Sequence, residues 1–234
     1  MTKTEKLFNV RELMAVATAA QRVNSGFIKA SGSYASGIPN KGLIYNHYYG
    51  KTNPDTLETE DAALPLLEED FDTADEIIMY FKGLSFKAID RSLSEFETAV
   101  LELVTQDEVP KQKLGIAASL PSIYAKNIAM DDWSQKEMEL ARSSNFIGDL
   151  GFRGRFEDIT VQFIRPIKLK RTQTTTNLYF CTDPEGNLIK FFNDNPTLVK
   201  KGDTVTISAF VRGQEISTYS GGKETIVNRV SIVS

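Results

Sequence analysis

The sequence predicts an α+β protein: a mainly helical N-terminal part followed by a small five-stranded β-barrel. Three observations predict it. Apolar residues recur at helical spacing over much of the first two-thirds and switch to period two from Phe146 onwards. Turn signals (DPEGN, KKGD and YSGGK) then punctuate five strand-like runs. Charge divides near the same place: residues 1–140 carry 14 Lys and Arg against 22 Asp and Glu, whereas residues 141–234 carry 13 against 9. Two domains are expected, 1–145 and 146–234, within the one or two that 234 residues allow at ~150 each.

The helical part is read in order. Asn9 followed by Glu12 resembles a capping box, with Val10, Leu13, Met14 and Ala17 at helical spacing behind it. Residues 25–50 are rich in Gly, Ser and Tyr without period and read as a long loop or mobile hairpin. From Asp55 to Glu76 there are ten acids and no Lys or Arg, a solvated surface expected to be flexible over about 55–70. Asp72 is placed to cap a helix carrying Ile77, Ile78 and Phe81, ended by Gly83. Ser92 and Glu95 form a second capping box, before the stripe Leu93, Phe96, Val100 and Leu103. Residues 114–130 fit either a strand or a buried loop. Asp131 and Asp132 start a charged helix whose Trp133 and Leu140 share a face, Trp133 anchoring it to a core.

Beyond Phe146 the strands are explicit. Ile159, Val161 and Phe163 alternate with Thr160, Gln162 and Ile164. Leu178–Cys181 and Leu188–Phe192 flank DPEGN, where proline, glycine, asparagine and aspartate each suit a turn. Val205, Ile207, Ala209 and Val211 alternate with Thr206, Ser208 and Phe210, and a fifth run follows from Thr225 to Ser231. Five strands in so short a segment close most easily as an OB-type barrel.

Several classes are excluded. No run approaches the ~18 apolar residues of a membrane span. The N-terminus reads as an amphipathic helix, not a signal peptide, and the lone Cys181 fits a reducing, cytoplasmic location. With one cysteine and one histidine, His47, no zinc site of the usual kind can form. No GxxxxGK[ST] loop and no nucleophile–base pair is present, so neither an enzyme nor a cofactor is expected.

The segments TDPEGNLIKFF, KKGDTVTISAFV and KETIVNRV carry a resemblance. Residues 146–234 look like the OB-fold modules of single-stranded nucleic-acid-binding proteins, in particular those ending bacteriophage replication proteins. The resemblance implies a single-stranded DNA-binding protein of phage replication or recombination, in the cytoplasm of an infected bacterium. DNA and RNA both stay open. The helical part would then self-associate or contact replication and recombination proteins. Family members commonly end in an acidic tail. This chain carries no acid after Glu224, and its internal acidic block would either recruit partners or mimic phosphate.

Such barrels hold single strands on the outer face of their second and third strands, between two flanking loops. Cations follow the phosphates while bases stack on rings. The hairpin supplies Tyr179, Phe180, Phe191 and Phe192, of which one per adjacent pair faces out; Phe180 and Phe192 are favoured, the latter beside Lys190. Strand four puts Phe210 and Arg212 outward, and strand five Arg229. Lys168, Lys170 and Arg171 follow the first strand, with Arg153 and Arg155 ahead of it; Arg212, Tyr219 and Lys223 belong to the loop after strand four. Two rival readings use the same barrel: a protein-binding adaptor or inhibitor of a host factor, and a metal-dependent nuclease.

Overall fold

The structure, a computed structural model, describes residues 6–30, 37–52, 58–169, 174–195 and 199–233. It divides into two compact units, 1–128 and 129–234. The second unit begins at Ala129, ahead of the boundary expected at residue 146.

In the first unit, a short antiparallel pair joins β1 (Leu7–Asn9) to β4 (Glu108–Pro110), and a second joins β2 (Lys51–Thr52) to β3 (Thr59–Glu60). Helix α1 (Val10–Val23) buries Val10, Leu13, Met14, Ala17 and Ala20, the face its sequence spacing specifies. Asn9 caps it, its side-chain oxygen accepting from the Glu12 N–H at 3.1 Å. Around α1 lie α2 (Asn40–Tyr49), α3 (Glu68–Lys82), α4 (Leu84–Asp90), α5 (Glu95–Thr105) and α6 (Leu114–Ala117).

Five expectations are corrected, the first being the cap of α3: the helix starts four residues before Asp72, with Leu67 at its N-cap. Residues 40–49 form helix α2, not loop. The fully buried Asn40 organises its entry, accepting from the Ile28 N–H at 2.8 Å and donating to the Gly26 carbonyl at 3.2 Å. The acidic block is only partly a solvated surface: Glu68, Glu69 and Asp70 form the first turn of α3, where negative charge meets the helix dipole. Asp70 is buried and pairs with Arg22 at 2.7 Å. The capping box of α5 is Ser94 and Glu97, two residues beyond Ser92 and Glu95. Finally, residues 114–130 are helical, in α6 and the start of α7 (Leu120–Ala141), which runs on through the helix expected to begin at Asp131.

The second unit holds the end of α7 and strands β5 (Arg153–Lys168), β6 (Thr175–Thr182), β7 (Leu188–Asn193), β8 (Thr204–Ile216) and β9 (Lys223–Val233). They close into a barrel in the order β5-β6-β7-β9-β8, with β8 returning to β5 and β7 parallel to β9. This is OB-type connectivity. The barrel interior is Phe156, Ile159, Val161, Tyr179, Cys181, Ile189, Phe191, Ile207, Ala209, Val211 and Val227, alternate residues of β6, β7 and β8, with a register shift between Phe156 and Ile159 in β5. The DPEGN turn is pinned by Asp183, whose carboxylate accepts from the Asn187 backbone and side-chain N–H groups, both at 2.7 Å. Asn187 in turn accepts from the Asn145 N–H at 2.7 Å, fastening the segment before β5 to the hairpin. In β9 a register shift falls at Arg229, whose φ of 51° marks a bulge that sends its side chain to solvent.

Candidate nucleic-acid interface

The DPEGN hairpin resolves by face. Tyr179 and Phe191 point into the barrel and stack on each other, centroids 4.8 Å apart and planes 9° from parallel. Tyr179 is fully buried and its hydroxyl donates to the Asn195 carbonyl at 3.1 Å. It is therefore corrected from a stacking platform to a core residue, because the pleat gives adjacent residues opposite faces. Phe180 and Phe192 point outward, with very different surroundings.

Phe180 is only 6% exposed because residues 129–141 of α7 lie across the outer face of β6 and β7. Trp133 sits 5.2 Å from Phe180 and is stacked on Phe163, planes 9° from parallel. Lys190 lies 4.7 Å over the Phe180 ring and donates to Glu137 at 2.9 Å and Glu224 at 2.6 Å. Phe180 and Lys190, expected in an open groove, are thus engaged within the unit. The cause is apolar: Phe163, Leu178, Phe180 and Leu188 all face outward, and Trp133, Leu140 and Ala141 cover them.

Beside this cover remains a hollow of about 490 Å³, lined by Trp133, Phe163, Arg165, Lys190, Glu215 and Tyr219 among others. Its lining includes Arg165 and Lys190 against Glu137, Glu215 and Glu224, so it is not a cationic channel. The Trp133 indole N–H is buried and has no acceptor among the described residues. Trp133 anchors its helix as its sequence suggests, to an apolar cluster on the outside of the barrel, with Leu140 of the same face packed beside it. Arg165, at the hollow, was missed from sequence.

A second surface is open. Phe210 and Arg212 alternate outward from β8 against the buried Ala209 and Val211. Phe210 has Arg153 of β5 opposite it on one side and Asn228 of β9 on the other. Arg153 donates to the Ser208 hydroxyl at 3.1 Å, and Arg155, inside β5 and not ahead of it, pairs with Glu157 at 3.1 Å. Phe192, 55% exposed, shares with Arg212, Ile226 and Asn228 a hollow of about 310 Å³. Glu215 borders both hollows.

The loops complete the rim. Lys168 is exposed at the end of β5, opposite Thr175; Lys170 and Arg171 lie outside the described residues. Tyr219 is 66% exposed after β8, while Lys223 is held near Phe146 and donates to Asn145 at 3.2 Å. Cys181 is buried in the barrel wall, which pushes its thiol up to about 12.

Among the described residues no group of three or more His, Cys, Asp or Glu is placed to hold a metal ion, and no helix is long and apolar enough to cross a membrane. His47 accepts from the Leu64 N–H at 2.9 Å, and burial lowers its pKa. Comparison of the chain with protein-family models, curated proteins and solved structures returns no match.

Proposed function

We propose that the protein binds single-stranded nucleic acid on the open outer surface of its OB-type barrel, without chemistry of its own. The setting implied by the resemblance is phage DNA replication or recombination. One observation carries the reading: Arg153 of β5 is the cross-strand partner of Phe210 of β8, and Arg212 of β8 shares a hollow with Phe192 of β7 across β9, so cations are interleaved with rings. That is the chemistry of strand capture, with phosphates met by guanidinium groups and bases laid on aromatic faces at roughly 1–3 kcal/mol per stacked base. The path differs from the usual one over strands two and three, because α7 occupies that face. Arg229, next in β9 to the Asn228 that faces Phe210, adds a further cation to the open surface.

The test is fluorescence anisotropy of a labelled ~30-nucleotide oligo(dT) beside a duplex of equal length. Preferential single-strand binding that weakens with salt supports the reading, and absence of binding at low salt rejects it. An adaptor role is the second reading, favoured by Met79, Phe86 and Ile89, which are 74%, 74% and 80% exposed on the helical unit. A protein with no affinity for either nucleic acid, whose self-association is lost on Phe86→Glu, would favour it.

A further inference from the structure

The helical unit is acidic, yet it contains one cationic, aromatic surface that nothing in the barrel reading uses. On α2, Tyr45 and Tyr49 are one turn apart and stacked, ring centroids 4.6 Å apart. Lys111 places its ammonium 4.6 Å from the Tyr45 centroid and 5.1 Å from that of Tyr49. Lys6 reaches Tyr49 from a different element, at 4.9 Å, and donates to the Tyr48 carbonyl at 3.2 Å.

The two lysines are brought together by the β1–β4 pair. Leu7 is opposite Pro110, so Lys6 and Lys111 flank the end of that pair, and their ammonium groups lie 4.9 Å and 5.1 Å from the Tyr49 centroid. Like charges gathered at one ring repel each other. Neither lysine forms an ion pair among the described residues; Lys113, two residues on from Lys111, is paired with Glu102 at 2.8 Å. Glu12 and Asp61 act electrostatically on the neighbouring His47. The tyrosine rings attract both ammonium groups through their faces. Tyr45 is 39% exposed and both lysines are exposed.

We infer that Tyr45, Tyr49, Lys6 and Lys111 form a second contact for single-stranded nucleic acid, separate from the barrel. The exposed Tyr45 ring takes a base, and the two ammonium groups take the adjoining phosphates, relieving their mutual repulsion. The inference rests on the proposed single-strand binding.

The test compares wild-type full-length protein with Lys6→Gln/Lys111→Gln and with Tyr45→Ala, in oligo(dT) titrations at several salt concentrations. Circular dichroism confirms that each variant is folded. Loss of two phosphate contacts lowers the salt slope by about 1.4, at ~0.7 per contact, with a severalfold loss of low-salt affinity. Tyr45→Ala loses affinity and keeps the wild-type slope. Wild-type affinity and slope in the lysine variant overturn this inference and leave the barrel reading standing. A wild-type protein that binds no oligo(dT) overturns both. Retention of oligo(dT) binding with displacement only by poly-glutamate in the lysine-dependent step assigns the surface to an acidic protein and overturns the nucleic-acid assignment.

Discussion

Trp133 is stacked on Phe163, ring centroids 5.9 Å apart and planes 9° from parallel, and so fastens the end of α7 to the outside of the barrel. With Phe180 and Leu188 it forms an apolar cluster of its own, distinct from the barrel interior. Trp133→Ala should cost ~3–5 kcal/mol of stability, the range for emptying a buried indole site. Denaturant unfolding followed by circular dichroism measures it; a loss below ~1 kcal/mol would mean the cover is loosely held.

Lys190 stands between Glu137 and Glu224, and all three side chains are largely buried. Lys190→Met leaves two buried carboxylates without their cation, and should destabilise by roughly 3–5 kcal/mol. The triple change to Lys190→Met, Glu137→Gln and Glu224→Gln should recover much of that loss. Comparison of the two variants by urea unfolding checks whether charge, and not volume, is responsible.

Phe180 and Phe192 are both outward residues of one hairpin, and their variants should separate. Phe180→Ala empties a covered site and should lower stability by ~3 kcal/mol or more. Phe192→Ala removes an exposed ring, leaving stability nearly unchanged while weakening oligo(dT) binding, at ~1–3 kcal/mol per stacked base. The same behaviour from both variants would contradict the assignment of faces.

Glu97 has its carboxyl held down to about 2, first by its hydrogen bond from Arg91 and then by those from Ser94. A depressed acid contributes stability that is present above its ordinary pKa of 4.5 and lost as pH falls through about 2. Thermal melts between pH 5 and pH 2 should show a steeper decline for wild type than for Glu97→Gln. Parallel curves would show that the capping pair contributes nothing on this scale.

The thiol of Cys181 behaves oppositely. Burial raises it from the ordinary 9.0 to about 12, so the folded chain keeps a proton that the unfolded chain releases. The stability this provides is complete below pH 9 and declines as pH rises towards 12. A thiol reagent at pH 8 should leave the native protein unmodified and react with one equivalent on unfolding.

The sequence was most legible where local chemistry and burial agree. Alternation specified which residues of β8 face inward, and the DPEGN turn emerged as the hairpin it suggests because Asp183 binds the backbone ahead of it. Legibility failed where tertiary partners override local pattern. The YNHYY segment has no apolar stripe, yet it is helical because Asn40 fixes its entry and Phe8 packs on Tyr48 and Tyr49. The acidic residues that open α3 read as a charge run, since nothing local announces that Arg22 will meet Asp70.

The candidate site was legible as a set of residues and illegible as a surface. Phe210, Arg212 and Arg153 are close because β5 and β9 flank β8, a consequence of barrel closure that no local window contains. The covering of Phe180 and Lys190 depends on the course of α7, which lies outside the segment carrying the OB resemblance.

The most direct test of single-strand binding on the open surface is the oligo(dT) anisotropy titration repeated with Phe210→Ala/Arg212→Ala. The account predicts a folded variant whose affinity falls at least ten-fold, with the salt slope lower by about 0.7 for the lost phosphate contact. Unchanged affinity and slope would contradict it, and would place whatever strand the protein binds away from β8.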